Sequence, residues 1–248
     1  MTQAGANSPG VGFLYPGYAA EDDFPRLATA VQPPVRAEVV HTTIGEDAHR
    51  VDALRDMGGI SRLREGALAL AGHGVSSAVW SSTSASFVFG WEGAKKQAAT
   101  LVEELGVPAS TTAFAFVTAL GAIGASRVAV VATYPEDIAN LFRQFLNHGG
   151  IEVLQIKSQG IMTATEVGTL GRDEVLEMVA GNDHEEAEAL LVPDTALHTA
   201  AWIEDIEGTI GKPVLTANQV TFWEALRLAG HLRLQDGLGT LFRARKII

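Results

Sequence analysis

The sequence predicts an α/β protein made of two pseudo-symmetric parallel-sheet domains with a site in the cleft between them. Two observations carry that prediction. Short β-rich apolar runs alternate with longer stretches of helical periodicity, the pattern of a parallel sheet covered on both faces. A set of landmarks also recurs in the same order in the two halves of the 248 residues.

Strands are expected over Val11–Tyr15, Ala37–His41, Ser77–Trp80, Arg127–Ala132, Glu152–Ile156 and Ala189–Val192. Each is a short run rich in branched or aromatic residues. Helices are expected over Gly93–Glu104, Thr112–Gly121, Pro135–Asn147, Asp173–Ala180, Thr199–Ile210 and Gln219–Leu228. Gly106, Gly124 and Gly211 stand where helices should stop, and Ser110 and Asn218 where two should start. The domains are expected to be residues 1–110 plus 215–248 and residues 111–214.

The recurring landmarks are three. Tyr15-Pro16 and Tyr134-Pro135 each close a strand, 119 residues apart; Ser82-Thr83 and Asp194-Thr195 do the same, 112 apart. Leu105-Gly106-Val107-Pro108 and Ile210-Gly211-Lys212-Pro213 each close a helix, 105 apart. Offsets that shrink by equal steps are what a duplication with shorter loops in its second copy leaves behind. Ligands of open α/β sheets bind at the carboxyl ends of strands. Tyr15, Ser82, Tyr134 and Asp194 are therefore the first site candidates.

Composition narrows the chemistry. The chain has no cysteine, which excludes disulfides, thiolate metal sites and cysteine nucleophiles. With 47% hydrophobic residues a full core is within reach. An excess of 29 acidic over 18 basic residues opposes nucleic acid as a partner. The longest apolar run, ending at Val131-Ala132, is too short to cross a membrane. Residues 1–10 lack the basic start and apolar stretch of a signal peptide, so a disordered tail on a cytoplasmic protein is expected. No glycine-rich nucleotide loop, Walker motif or zinc spacing is present, so no cofactor and no metal are expected.

Four segments carry a family resemblance: Ser81-Ser82-Thr83-Ser84-Ala85-Ser86-Phe87-Val88, Ala132-Thr133-Tyr134-Pro135, Leu191-Val192-Pro193-Asp194-Thr195-Ala196-Leu197, and Gly211-Lys212-Pro213-Val214-Leu215-Thr216-Ala217-Asn218-Gln219. Together they resemble the aspartate/glutamate racemase superfamily, in its maleate cis-trans isomerase and arylmalonate decarboxylase branch. The resemblance implies two facing α/β domains, a small carboxylate-bearing substrate and a homodimer or larger homo-oligomer. It also implies a cysteine at each of the two equivalent strand ends, one on either side of the substrate; here those positions read Ser82 and Asp194. The decarboxylase branch keeps only the second cysteine. The family's tyrosine usually follows the proline of its turn, whereas Tyr134 precedes Pro135.

Asp194 at the end of an apolar strand is expected to be desolvated, with its pKa raised into the range of a useful acid or base. Ser82 and Tyr134 are expected as hydrogen-bond donors beside it, Ser82 being too weak an acid to act alone. The backbone amides of Thr83, Ser84, Thr195 and Ala196 would hold a carboxylate or enolate oxygen, with Tyr15 and Pro16 lining the cleft. A blander role for Asp194 is to cap the helix after its strand. Glu21-Asp22-Asp23 reads as complementing a helix dipole. His198 reads as a surface or capping histidine, and as a partner of Ser82 only if the fold brings them together. Asp183-His184-Glu185-Glu186 reads as a solvated charge run on a helix, and the four Trp residues as core or interface. The function these readings favour is a cofactor-independent isomerase of the racemase superfamily acting on a small carboxylate. The alternatives are a decarboxylase or hydrolase in the same cleft, or a non-catalytic small-acid binding protein.

Overall fold

The computed structural model describes residues 8–245. The first half runs β1 (Gly10–Pro16), α1 (Asp23–Ala30), β2 (Arg36–Thr42), α2 (Val51–Met57), α3 (Ile60–Leu70), β3 (Val75–Trp80), α4 (Ser84–Phe87), α5 (Gly90–Leu105), β4 (Ala109–Thr111) and α6 (Thr112–Ile123). The second runs β5 (Arg127–Ala132), α7 (Glu136–His148), β6 (Glu152–Ser158), α8 (Ala164–Val167), α9 (Arg172–Ala180), β7 (Ala189–Val192), α10 (Ile203–Ile210), β8 (Val214–Thr216) and α11 (Ala217–Leu228), with α12 (Gly239–Arg243) after it.

The strands form two four-stranded parallel sheets, ordered β2-β1-β3-β4 and β6-β5-β7-β8. The two orders are identical when β1 is matched to β5 and each later strand to its counterpart. The duplication read from the landmarks is thus a duplication of topology. All of β7, and β5 from its second residue, is buried, as parallel strands covered on both faces must be.

Two strands escaped the sequence reading. β4 and β8 are three residues each, too short to show a period, and both run straight into a helix. For that reason the caps of α6 and α11 are Thr111 and Thr216, not Ser110 and Asn218. Thr111 Oγ1 accepts from the Phe114 amide, and Gln219 Oε1 accepts from the Thr216 amide. Gly106, Gly124 and Gly211 do end their helices, each in the left-handed conformation open to glycine. Of the tail expected over residues 1–10, residues 1–7 lie outside the described residues. Ser8 and Pro9 are held through their carbonyls by Arg36, and Gly10 already belongs to β1.

The helices α6 and α11, equivalent in the duplication, lie side by side at the centre, tied by a 2.6 Å hydrogen bond between the Thr112 and Thr221 hydroxyls. Every residue of α11 from Ala217 to Leu226 is buried, the mark of a helix enclosed on all sides. Phe222 packs on Phe13 of β1, and Phe116 of α6 on Phe142 of α7. No helix among the described residues is long and apolar enough to cross a membrane.

Two aspartates of the first half are spent on the second. Asp23, 1% exposed, accepts from the amides of Thr199 (2.9 Å) and Ala200 (3.1 Å) and from Asn218 Nδ2 (3.1 Å). These contacts hold Thr199 and Ala200 out of the helix expected from Thr199, and α10 begins at Ile203. Burial pushes the Asp23 carboxyl above its ordinary value, against the pull of its three donors. Asp47 caps α8: it accepts from the Ala164 amide at 2.8 Å, the Thr165 amide at 3.0 Å and the Thr165 hydroxyl at 2.6 Å. Partial burial works to raise the Asp47 carboxyl, but the bonds from Thr165 and Ala164 outweigh it and hold it below the usual carboxylate range.

Replacing Asp23 with Ala strands three buried donors and should cost about 3 kcal/mol in urea unfolding; a loss under about 1 kcal/mol would show that the bridge carries little. Replacing Asp47 with Ala removes a cap worth about 1 kcal/mol. Because the folded Asp47 carboxyl sits low, its contribution is complete above the unfolded value near pH 4 and is lost as pH falls through the folded value. The stability gap between wild type and Asp47→Ala should therefore be full at neutral pH and close in strong acid.

Candidate active site between the duplicated strand ends

A cavity of about 50 Å³ opens between the two halves at the carboxyl ends of the strands. Of the candidates, Tyr15, Pro16, Ser82, Ser84, Asp194, Thr195 and Ala196 line it. Ile44, Leu54 and Met57 supply apolar wall, and Asp47 and His49 its charged and titratable rim. Among the described residues lining it there is no Lys or Arg. Thr83 and Tyr134 lie behind the surface, both buried.

Asp194 follows β7 and is 4% exposed. Its Oδ1 accepts from the Ala196 amide at 2.9 Å, and its Oδ2 from the Thr133 hydroxyl of the opposing turn. The first bond closes a local turn two residues long, so the capping role open from sequence exists here without a helix to cap. It also uses up the Ala196 amide, which therefore cannot serve a ligand while Asp194 keeps this posture.

Both tyrosines are committed to the loop that carries Asp194. Tyr15, at the end of β1, donates to Thr195 O at 2.9 Å and accepts from the Ala20 amide at 3.0 Å. Tyr134, after β5, donates to Pro193 O. Burial first, and then the Asp194 charge, pushes the Tyr134 phenol well above its ordinary range; burial does the same to Tyr15. Both hydroxyls therefore stay protonated and act as struts.

The Ser82 side of the cavity is differently furnished. Ser82 Oγ accepts from the Ala85 amide at 3.3 Å, which leaves its own proton to donate. The amides of Thr83, Ser84 and Thr195 donate to no acceptor among the described residues, and Thr83 Oγ1 is buried beside the Tyr134 phenol. Of the four amides named from sequence, three are thus open donors and the fourth, Ala196, is spent on Asp194.

Other candidates stay apart. His198 pairs with Asp22 at 2.8 Å on the surface, away from Ser82. Residues 183–186 form a turn rather than a helix, with Lys212 Nζ bound to Asp183 Oδ1 and to the carbonyls of His184 and Glu185. The sequence reading missed Asp47 and His49 and the contacts of Asp23 and Thr133, whose partners are all remote in the chain.

Comparisons with known proteins point to one family. The arylmalonate decarboxylase family model matches residues 45–242. An arylmalonate decarboxylase of Bordetella bronchiseptica is 29% identical over 146 residues, 56% of this chain and 60% of that protein. A maleate isomerase of Alcaligenes faecalis is 28% identical over 132 residues, 52% of each chain. The matched stretches thus span less than two thirds of either relative. Among solved structures, the maleate isomerase Iso(C200A) of Pseudomonas putida S16 with maleate superposes with a TM-score of 0.85 at 20% identity, covering 97% of this chain and 99% of that one. A Nocardia farcinica maleate cis-trans isomerase mutant with a covalently bound succinylcysteine intermediate gives 0.86 at 21%, covering 96% and 99%. With the family model covering most of its length, the chain belongs to the arylmalonate decarboxylase family, in the aspartate/glutamate racemase superfamily.

Proposed function

We propose that this protein is a cofactor-independent isomerase that moves a proton at the carbon beside the carboxylate of a small acid, with Asp194 as the base. One observation carries the reading: Asp194 and Ser82, the ends of equivalent strands, line one cavity, and the Ser82 side holds open donors. The succinylcysteine of the Nocardia relative needs a thiol, and this chain has none. A sulfur adduct is therefore closed to it, while proton transfer is open to a carboxylate.

Removing a proton beside a carboxylate moves the C–H electron pair into an enediolate, whose charge gathers on two oxygens. The Ser82 and Ser84 hydroxyls and the Thr83 and Ser84 amides are the groups to receive those oxygens. Preformed dipoles of this kind suit a wall without Lys or Arg, because they need no reorganisation as charge develops. Asp194 takes the proton, held in posture by Thr133 and Ala196. Tyr134 and Tyr15 are positioning residues here, since their protons are spent on the Asp194 loop.

Decarboxylation is the second reading, favoured by the family model over residues 45–242. Losing carbon dioxide from a malonate leaves the same enediolate, and the same donors would hold it. Assays with aspartate and phenylmalonate separate the two: inversion without gas for the first, carbon dioxide release for the second. Binding without conversion of any of them would leave a small-acid binding protein.

Asp194→Asn keeps the shape and removes the base. It should lower kcat at least about 1,000-fold, with an unchanged circular dichroism spectrum; activity near wild type would refute the assignment. Ser82→Ala should lower kcat about 100-fold with a smaller effect on KM, as expected for a donor that acts on developing charge. An unchanged kcat would remove Ser82 from the reaction.

A further inference from the structure

His49 lies outside the duplicated strand ends, yet it is 5% exposed and lines the same cavity as Ser82 and Asp194. Its Nδ1 is 2.8 Å from the Ile161 carbonyl oxygen. A carbonyl only accepts, so Nδ1 carries a hydrogen and Nε2 is the nitrogen left for exchange. Nε2 has no partner among the described residues. The ring stands edge-on to Tyr134, with centroids 5.0 Å apart and planes at 82°. The His49 amide donates to Met162 O at 2.7 Å, so backbone and ring are both tied to the second half.

The groups around this imidazole have other commitments. Asp47 spends both carboxylate oxygens on α8, and the Tyr134 phenol donates to Pro193 O. Tyr15 donates to Thr195 O, Tyr18 stacks on His41, and Tyr134, expected from sequence as a hydrogen-bond donor, is occupied; Asp194 accepts one bond at each oxygen and keeps lone pairs at the wall of the same cavity. The site therefore holds a base and open oxyanion donors, with one imidazole nitrogen still without a task.

We infer that His49, through Nε2, is the second acid–base group of this cavity, an inference that rests on the proton-transfer reading of Asp194. Asp194 removes the proton and leaves the enediolate; the His49 imidazolium gives its Nε2 proton to carbon, the electron pair returning from the enediolate to form the new C–H bond. Asp194 ends protonated and His49 neutral. Reverse transfer in the next turnover, or exchange with water, restores both.

The test compares wild type, Asp194→Asn and His49→Asn. Asn places an amide N–H where His49 Nδ1–H meets Ile161 O, so loop packing survives while Nε2 is lost; equal melting temperatures check this. Each protein is incubated with aspartate and phenylmalonate in deuterium oxide, and exchange and product are followed by proton NMR. His49→Asn should keep the hydrogen–deuterium exchange that Asp194 performs and lose at least about 100-fold in product formation. Wild-type turnover together with a His49→Asn variant within twofold of it would overturn the role of His49 and leave that of Asp194 standing. If wild type converts none of the probes, the proton-transfer reading fails, and His49 is judged by nitrogen-15 spectra of its ring. A move of Nε2 toward the imidazolium shift on adding phenylmalonate supports a cavity-facing acid–base group; an unmoved resonance with every probe overturns it.

Discussion

Two buried phenols converge on one short loop, and the rest of the site depends on that convergence. Tyr15 and Tyr134 come from equivalent strand ends in opposite halves, and they donate to the carbonyls on either side of Asp194, at Thr195 and Pro193. Each bond is made in surroundings where an unmade one would leave a desolvated carbonyl, at a cost of about 1–3 kcal/mol. Thr133 adds a third bond, to the Asp194 carboxylate itself. The loop therefore has little freedom, and the carboxylate at its centre keeps its place in the cavity wall.

That rigidity bears on how an acidic protein with a formal charge of −11 would accept an acidic ligand. With no Lys or Arg among the described lining residues, a substrate carboxylate has to be met by dipoles. The unpartnered amides after Ser82 and the hydroxyls around them are such dipoles, fixed by the turn into α4. The two sides of the cavity thus divide the work: donors cluster on the Ser82 side, and the carboxylate acceptor sits on the Asp194 side. A symmetric pair of like side chains would not divide it this way; with Ser82 and Asp194 at its equivalent strand ends, the duplicated frame has an asymmetric site.

How much of this was legible in the sequence depends on the range of each interaction. β5 and β7 are continuous apolar runs and read directly, and Ser82 and Asp194 stand out because a duplication marks equivalent places. β4 and β8 fail on length, since three residues carry no period. Asp23, Asp47 and His49 fail for another reason: their partners Thr199, Thr165 and Ile161 lie 176, 118 and 112 residues away, and nothing local distinguishes them from surface polar residues. Asp23 even has a sufficient local explanation, a helix dipole, which conceals its part in joining the halves. Tyr134 shows a further limit, because a pattern of residues does not reveal where a phenol's proton is spent.

The account turns on Asp194 facing the reacting carbon of a ligand held from the Ser82 side. A crystal structure of Asp194→Asn with phenylmalonate tests this most directly. The account predicts one carboxylate on the Thr83 and Ser84 amides and the carbon between the carboxylates within about 3.5 Å of the residue-194 side chain. A ligand bound elsewhere, or one whose carbon faces away while residue 194 keeps only Thr133 and Ala196 for company, would contradict it.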